Sequence, residues 1–288
     1  FEKILPHHGI VAKISPDGKK FEVVATGLRA PGGLGIGPNG EITTGENEGT
    51  WQPACKINFL KAGDDPKFFG TEPTRHFLKD APYAEPLMFF PMDMDNSGGS
   101  QVWVPEDAKF GLKTGEMIHL SYGKSSLYRV LPVTFNGRLQ AGAVKLPIQL
   151  QSSAMRARFH QDGSLYVLGF RGWQTNAATP CAFQRIRHNA DVGIKIPEKL
   201  DYTDTGVKLT FPVELDAELA EDPTSYSAQR WDYVRSEQYG SGEFSVDHAD
   251  KEAMEKAATS ESKGHRKRDN VKIESAKLSP DGKTVELV

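Results

Sequence analysis

Apolar and polar residues alternate along this chain in short runs, and each run ends at a turn signal. FEVVATG, GEITTGEN, SLYVLGF and KTVELV each follow an Asp-Gly or Asn-Gly pair, at Asp17-Gly18, Asn39-Gly40, Asp162-Gly163 and Asp281-Gly282. Asn136-Gly137 precedes RLQAGAV in the same way. Period-two alternation after such a pair predicts a β-hairpin, because Asn and Gly tolerate the positive φ angles of a tight turn. The repetition of hairpins predicts small antiparallel sheets set around a channel, the arrangement of a β-propeller.

Pieces of blade are predicted in order. Gly9 to Gly27 carries two strands of one blade, and Leu34 to Leu60 three strands of the next. Lys61 to Tyr83 is polar and reads as an insertion. Leu87 to Tyr128 holds PLMFFP, GSQVWVP, EMIHLSYG and SSLYRVLP, and Met155 to His188 holds ARFHQDG, SLYVLGFRG and FQRIRH. That is about three to four blades where a propeller has four to eight. The expectation is an all-β chain, a partial (truncated) propeller over residues 1–196 with N-terminal blades missing. After Ile196-Pro197 the composition shifts, and GVKLTFPVELD, SYSAQRWDYV, EFSVDH and VKIESAKLSP alternate like sandwich strands. Residues 197–288 are therefore expected to form an Ig-like β-sandwich, with a polar helical or disordered insertion near residues 247–270.

Composition narrows the function. The 288 residues include 28 Gly and 18 Pro, in keeping with many turns. A formal net charge of −3 argues against nucleic acid as the main partner. No apolar run is long enough for a membrane span. The chain opens on Phe1-Glu2-Lys3, with no initiator Met and no signal peptide, and reads as a fragment or processed product. The basic run Gly264 to Arg268 reads as a solvated loop tip. Two cysteines, Cys55 and Cys181, follow similar glycine-flanked loops, GENEGTWQPAC and GFRGWQTNAATPC. The parallel predicts adjacent blades and proximity; one disulfide and two free thiols are both open. No CxxCH occurs, so this chain carries no c-type haem motif.

Candidate chemistry sits on loops. Arg29, in GLRAP before a strand, is either a cationic fork for a carboxylate or quinone oxygen, or a structural arginine bonding nearby carbonyls. Glu46, Asn47 and Glu48 lie between glycines and offer oxygens to a hard cation such as calcium, or form a solvated acidic loop. Asp93 and Asp95 open a D-x-D-x-S-G run, but position 12 is Val104, so an EF-hand is excluded; a looser ion site and an Asx-turn are the two readings. Arg171, Trp173 and Gln174 follow an apolar strand and suit a polar ring ligand, with a Trp packed under a loop as the plainer reading. His119 and His160 read as structural, and of the neighbours His7 and His8 only one could face a site.

The stretch GLRAPGGLGIGPNGEITTGENEG resembles the soluble quinoprotein sugar dehydrogenases, the glucose/sorbosone dehydrogenase-like six-bladed propellers. The resemblance implies pyrroloquinoline quinone and Ca2+ as cofactors, with Arg29 on the quinone and the Glu46 to Gly49 loop on calcium. That family's calcium loop is rich in amides and carbonyls, and its catalytic histidine lies in an earlier blade, so neither His7 nor His8 is assigned to that role. PMDMDNSGGSQVWVPED, GEMIHLSYGKSSLYRV and MRARFHQDGSLYVLGFRGWQTNA look more like large secreted propeller proteins of planctomycete-type bacteria, of dehydrogenase or haem-binding type. The tail VKIESAKLSPDGKTVELV resembles bacterial surface-layer Ig-like domains. These likenesses imply a secreted or periplasmic quinone-dependent dehydrogenase of sugars or related polyols, passing electrons to a cytochrome c outside this chain. The alternative is a non-catalytic carbohydrate-binding or scaffold propeller with structural calcium.

Overall fold

A computed structural model describes residues 3–248 and 250–288. Among the described residues the chain is all-β apart from two short α-helices and two single 3-10 turns. It opens with β1 (Val11–Ile14) and β2 (Phe21–Thr26), which pair antiparallel. Next come β3 (Pro31–Ile36), β4 (Ile42–Glu46) and β5 (Cys55–Leu60), a meander. The short β6 (Lys67–Phe68) returns to pair in parallel with β2, and β7 (Met88–Phe90) becomes the outer edge beside β5. A second four-stranded meander follows: β8 (Gly98–Trp103), β9 (Met117–Ser121), β10 (Ser126–Phe135) and β11 (Arg138–Lys145). β12 (Arg156–Phe159), β13 (Leu165–Phe170) and β14 (Cys181–Ile186) make a three-stranded blade.

The result is a partial propeller. Its innermost strands β3, β8 and β12 pack side by side, and glycines let them approach. A Cβ at Gly33 would overlap Ser100, and one at Gly99 would overlap the carbonyls of Ala154 and Leu120. The β8–β11 blade is covered on both faces. Ile118, Leu120 and Leu127 pack towards Ala157, Leu165 and Val167 of the next blade. Met117, Tyr128 and Val130 pack towards Cys55, Ile57 and Phe90 of the preceding one. β9 is therefore buried at every position, and His119 lies inside as a consequence of register.

The expected insertion from Lys61 to Tyr83 is instead built into the blades. Phe68 and Phe69 are fully buried, and Phe69 packs with Val11, Leu28 and Leu60. The expected proximity of the two cysteines in adjacent blades is corrected as well. Cys55 and Cys181 are free, Cys55 buried and Cys181 exposed, and they belong to blades separated by the whole β8–β11 sheet.

Beyond Pro197 lies a four-stranded antiparallel sheet. Its strands are β15 (Lys199–Tyr202), β16 (Val207–Thr210), β19 (Ala276–Leu278) and β20 (Thr284–Leu287) in the order β15-β16-β20-β19. Between β16 and β19 come α1 (Ala217–Glu221), β17 (Ala228–Arg230), α2 (Lys251–Ala257) and β18 (Asp269–Val271), with β17 paired to β18. Leu200 packs against Leu131 and Val133 of β10. Residues 231–248 and 250–268 return to the first blades: Arg235 donates to the Gly70 carbonyl at 2.8 Å, and Trp51 N–H donates to the Ser236 carbonyl at 2.9 Å.

Candidate functional site

The candidate loops share one end of the fan. Gly32, Gly33 and Gly35 of β3 sit beside Gly98, Ser100 and Gln101 of β8 in the same order, so these inner strands run parallel. Their antiparallel partners β4 and β9 finish where they begin, as Pro31 faces Glu46 and Gly98 faces Ser121. β13 likewise ends where β12 begins, with Arg156 opposite Leu168. Hydrogen bonds stitch this face together. Asn47 Oδ1 accepts the Gly98 N–H at 2.8 Å, and Asn96 Nδ2 donates to the Gln174 carbonyl at 2.9 Å.

Glu46 and Asp95 serve this frame from inside. Glu46 is fully buried; one carboxylate oxygen accepts the backbone N–H of Arg29 and, at 3.1 Å, of Ala30, and the other accepts Asn58 Nδ2 at 3.1 Å. Burial pushes its pKa up against the pull of cross-strand Lys56 and these donors. Asp95 accepts Ser121 Oγ at 2.6 Å, the Ser97 N–H at 3.0 Å and His119 Nε2 at 2.7 Å. The bond to Ser97 forms an Asx-turn, one of the two readings of this run. Gln101 Nε2 meets His119 Nδ1 at 2.9 Å, which leaves the ring proton on Nε2 for Asp95. The imidazole stacks on Phe90 at 4.5 Å and is 1% exposed, shut off from the surface in this arrangement.

Arg29 is half-buried. Its guanidinium donates to the Glu48 carbonyl at 3.3 Å and lies over the Tyr239 ring at 5.1 Å, with no carboxylate ion pair among the described residues. Glu48 pairs instead with Lys263 at 2.7 Å, and Lys263 lies over the same Tyr239 ring at 4.9 Å. Burial raises the Glu48 pKa, opposed by Lys263 and Arg29. Tyr239 and Lys263 stand about 200 residues further along the chain, and nothing local in the sequence marks them. Arg171 reaches only the Ala178 carbonyl at 3.5 Å, Trp173 is 84% exposed, and Gln174 takes a positive φ of 59°. Arg171, Trp173 and Gln174 thus share a loop with each other, on the same face as Arg29 but one blade beyond its neighbour.

The five expected cation ligands do not form one shell. Glu46 and Asp95 are engaged inside, Glu48 with Lys263, Asn47 with Gly98, and exposed Asp93 lies 3.4 Å from Arg268. Among the described residues no group of three His, Cys, Asp or Glu side chains is placed to hold a metal ion. Calcium needs six to eight oxygens at about 2.3–2.6 Å, so these residues do not fit it.

No family model matches this sequence, and no curated protein matches it. Among solved structures, it is similar to a protein of Thermus thermophilus described as an oxidoreductase (glucose dehydrogenase), with TM-score 0.41 and 17% identity over 57% of this chain and 46% of that one. It is also similar to the PQQ-bound form of an aldose sugar dehydrogenase from Streptomyces coelicolor, with TM-score 0.39 and 14% identity over 56% of this chain and 46% of that one. The chain spans under half the length of each. No helix among the described residues is long and apolar enough to cross a membrane.

Proposed function

We propose that this chain belongs to a secreted or periplasmic quinone-dependent dehydrogenase of sugars or related polyols, and that the face described above holds the cofactor. The observation that supports this is Arg29: a guanidinium anchored through its own backbone by Glu46, braced on Tyr239, and without a carboxylate partner among the described residues. Such a fork is free to take a carboxylate of pyrroloquinoline quinone bidentately. The quinone, when bound, supplies the acceptor for a hydride equivalent. The residues of this chain hold and orient it; His119 is sealed off, so no proton transfer is assigned to it, and no step is assigned to calcium. A cytochrome c as electron acceptor, and an Ig-like module after about residue 197, belong to the same proposal.

The test is equilibrium binding of pyrroloquinoline quinone to the full chain, with dye reduction over a sugar panel. Arg29→Ala is expected to weaken quinone binding at least about tenfold, with a stability loss of only about 1–2 kcal/mol. Equal quinone binding by wild type and variant, or none by wild type, overturns the reading. A second reading, carbohydrate binding without chemistry, draws on the 84% exposure of Trp173 as a stacking platform and on the sealed His119. It requires saturable sugar binding, lost in Trp173→Ala, with no dye reduction.

A further inference from the structure

A cleft of about 830 Å³ lies against the outer strands of the first two four-stranded blades, and none of Arg29, Glu48, Arg171 or Trp173 lines it. Its floor comes from the outer strands β7 and β11 and its far wall from residues 229–235. Four aromatic side chains line it: Tyr83, Phe89, Trp231 and Tyr233. Tyr233 sits 5.5 Å from Phe89 at an interplanar angle of 59° and 6.3 Å from Trp231 at 87°, so the rings present faces in different directions. Arg268 covers one face of Trp231 at 4.1 Å. The buried indole N–H of Trp231 forms no well-aligned hydrogen bond, although the Tyr233 hydroxyl lies beside it.

The three arginines of the lining are already paired. Arg138 lies 3.5 Å from Glu85, Arg235 lies 3.3 Å from Glu72, and Arg230 pairs with Asp247. No guanidinium of the lining is left over to demand an anion. Gln140, Gln229 and Asp232 add planar polar groups at the margin. Flat aromatic faces suit the C–H faces of a pyranose ring, and planar amide, guanidinium and carboxylate edges suit its equatorial hydroxyls. The volume falls in the range of ligand pockets, roughly 300–1,000 Å³.

We propose that this flank cleft is a binding site for a neutral oligosaccharide, with Trp231, Tyr233 and Phe89 as the stacking platform. The site is separate from the Arg29 face and does not rest on the cofactor reading. A volume of about 830 Å³ leaves room for more than one sugar ring.

The test is calorimetry and saturation-transfer NMR on the full chain with maltotriose, cellotriose, xylotriose and triacetylchitotriose, and with glucuronate as charged control. At least one neutral trisaccharide is expected to bind saturably. Trp231→Ala should weaken it about tenfold, and Gln229→Ala, at an exposed position, about threefold. Gln229→Ala keeps the test open should Trp231→Ala fail to fold. Several outcomes overturn the proposal: no saturable binding by any of the four at about 20 mM, tighter binding of glucuronate, binding unchanged in both variants, or loss of binding in Trp173→Ala instead.

Discussion

Lys56 shows how little a residue type says about its setting. On β5 it is 1% exposed and donates to the Phe69 carbonyl at 2.7 Å. It stands opposite Glu46 across β4 and β5. Burial, opposed by Glu46, pulls its pKa from 10.5 down to about 8. A lysine with a lowered folded pKa binds fewer protons in the native than in the unfolded state between those values. Lys56 therefore contributes stability that rises with pH between about 8 and 10.5. Glu46 has the opposite sign. Its folded pKa is raised above 4.5, so it withdraws stability as pH climbs from 4.5 through that folded pKa. Denaturant titrations at pH 7, 8.5 and 10 should show the stability of wild type rising relative to that of Lys56→Met, against the opposite pull of buried Cys55 and the buried tyrosines, which both proteins share. A wild-type-minus-variant difference that does not change with pH would place the source elsewhere. The Asx-turn at Asp95 could be read in advance because its bonds are local. The commitments of Glu46 and Glu48 could not, because their partners lie on other strands.

At the scale of elements, the turns were the most legible feature. Gly18, Gly40, Gly137, Gly163 and Gly282 all take positive φ, as their Asp-Gly and Asn-Gly pairs require. Asn136 is the sharpest case: it and Gly137 have φ of 50° and 76°, and they join the long hairpin β10–β11 from Phe135 to Arg138. Asn136→Ala should cost about 1 kcal/mol by chemical denaturation, since alanine is less stable than asparagine in the left-handed region. A neutral substitution would show that the register of this hairpin is held by its strands alone. The alternation after residue 199 was less reliable. KTVELV became β20, but SYSAQRWDYV yielded only the three residues of β17 and EFSVDH only isolated bridges. Short polar-apolar alternation is weakly specifying when the partner strand is distant.

At the scale of the molecule, blade order separates what similar loops in the sequence would join. Cys55 and Cys181 follow parallel stretches, but the β8–β11 blade stands between them. Burial pushes the Cys55 thiol pKa up, so it should resist thiol reagents until the chain unfolds. Exposed Cys181 should react in the native protein, giving one equivalent of label before denaturation and two after. Two equivalents at once, or none, would contradict the arrangement. The return of residues 231–248 and 250–268 over the first blades also belongs to this scale, through Lys263 on Glu48 and Arg235 on Glu72.

What the sequence determined by itself was the local part: the hairpins, most of the strands and the all-β class. Period-two alternation and positive-φ turn pairs act within a few residues, and those interactions are written in adjacent positions. Only the tertiary structure decided which carboxylates remained free, that His119 is sealed between blades, that Tyr239 and Lys263 brace the Arg29 site, and that Trp231 and Tyr233 meet Phe89 across a cleft. Each of those depends on long-range packing, where desolvation and pairing with residues far along the chain outweigh the chemistry of a side chain taken alone.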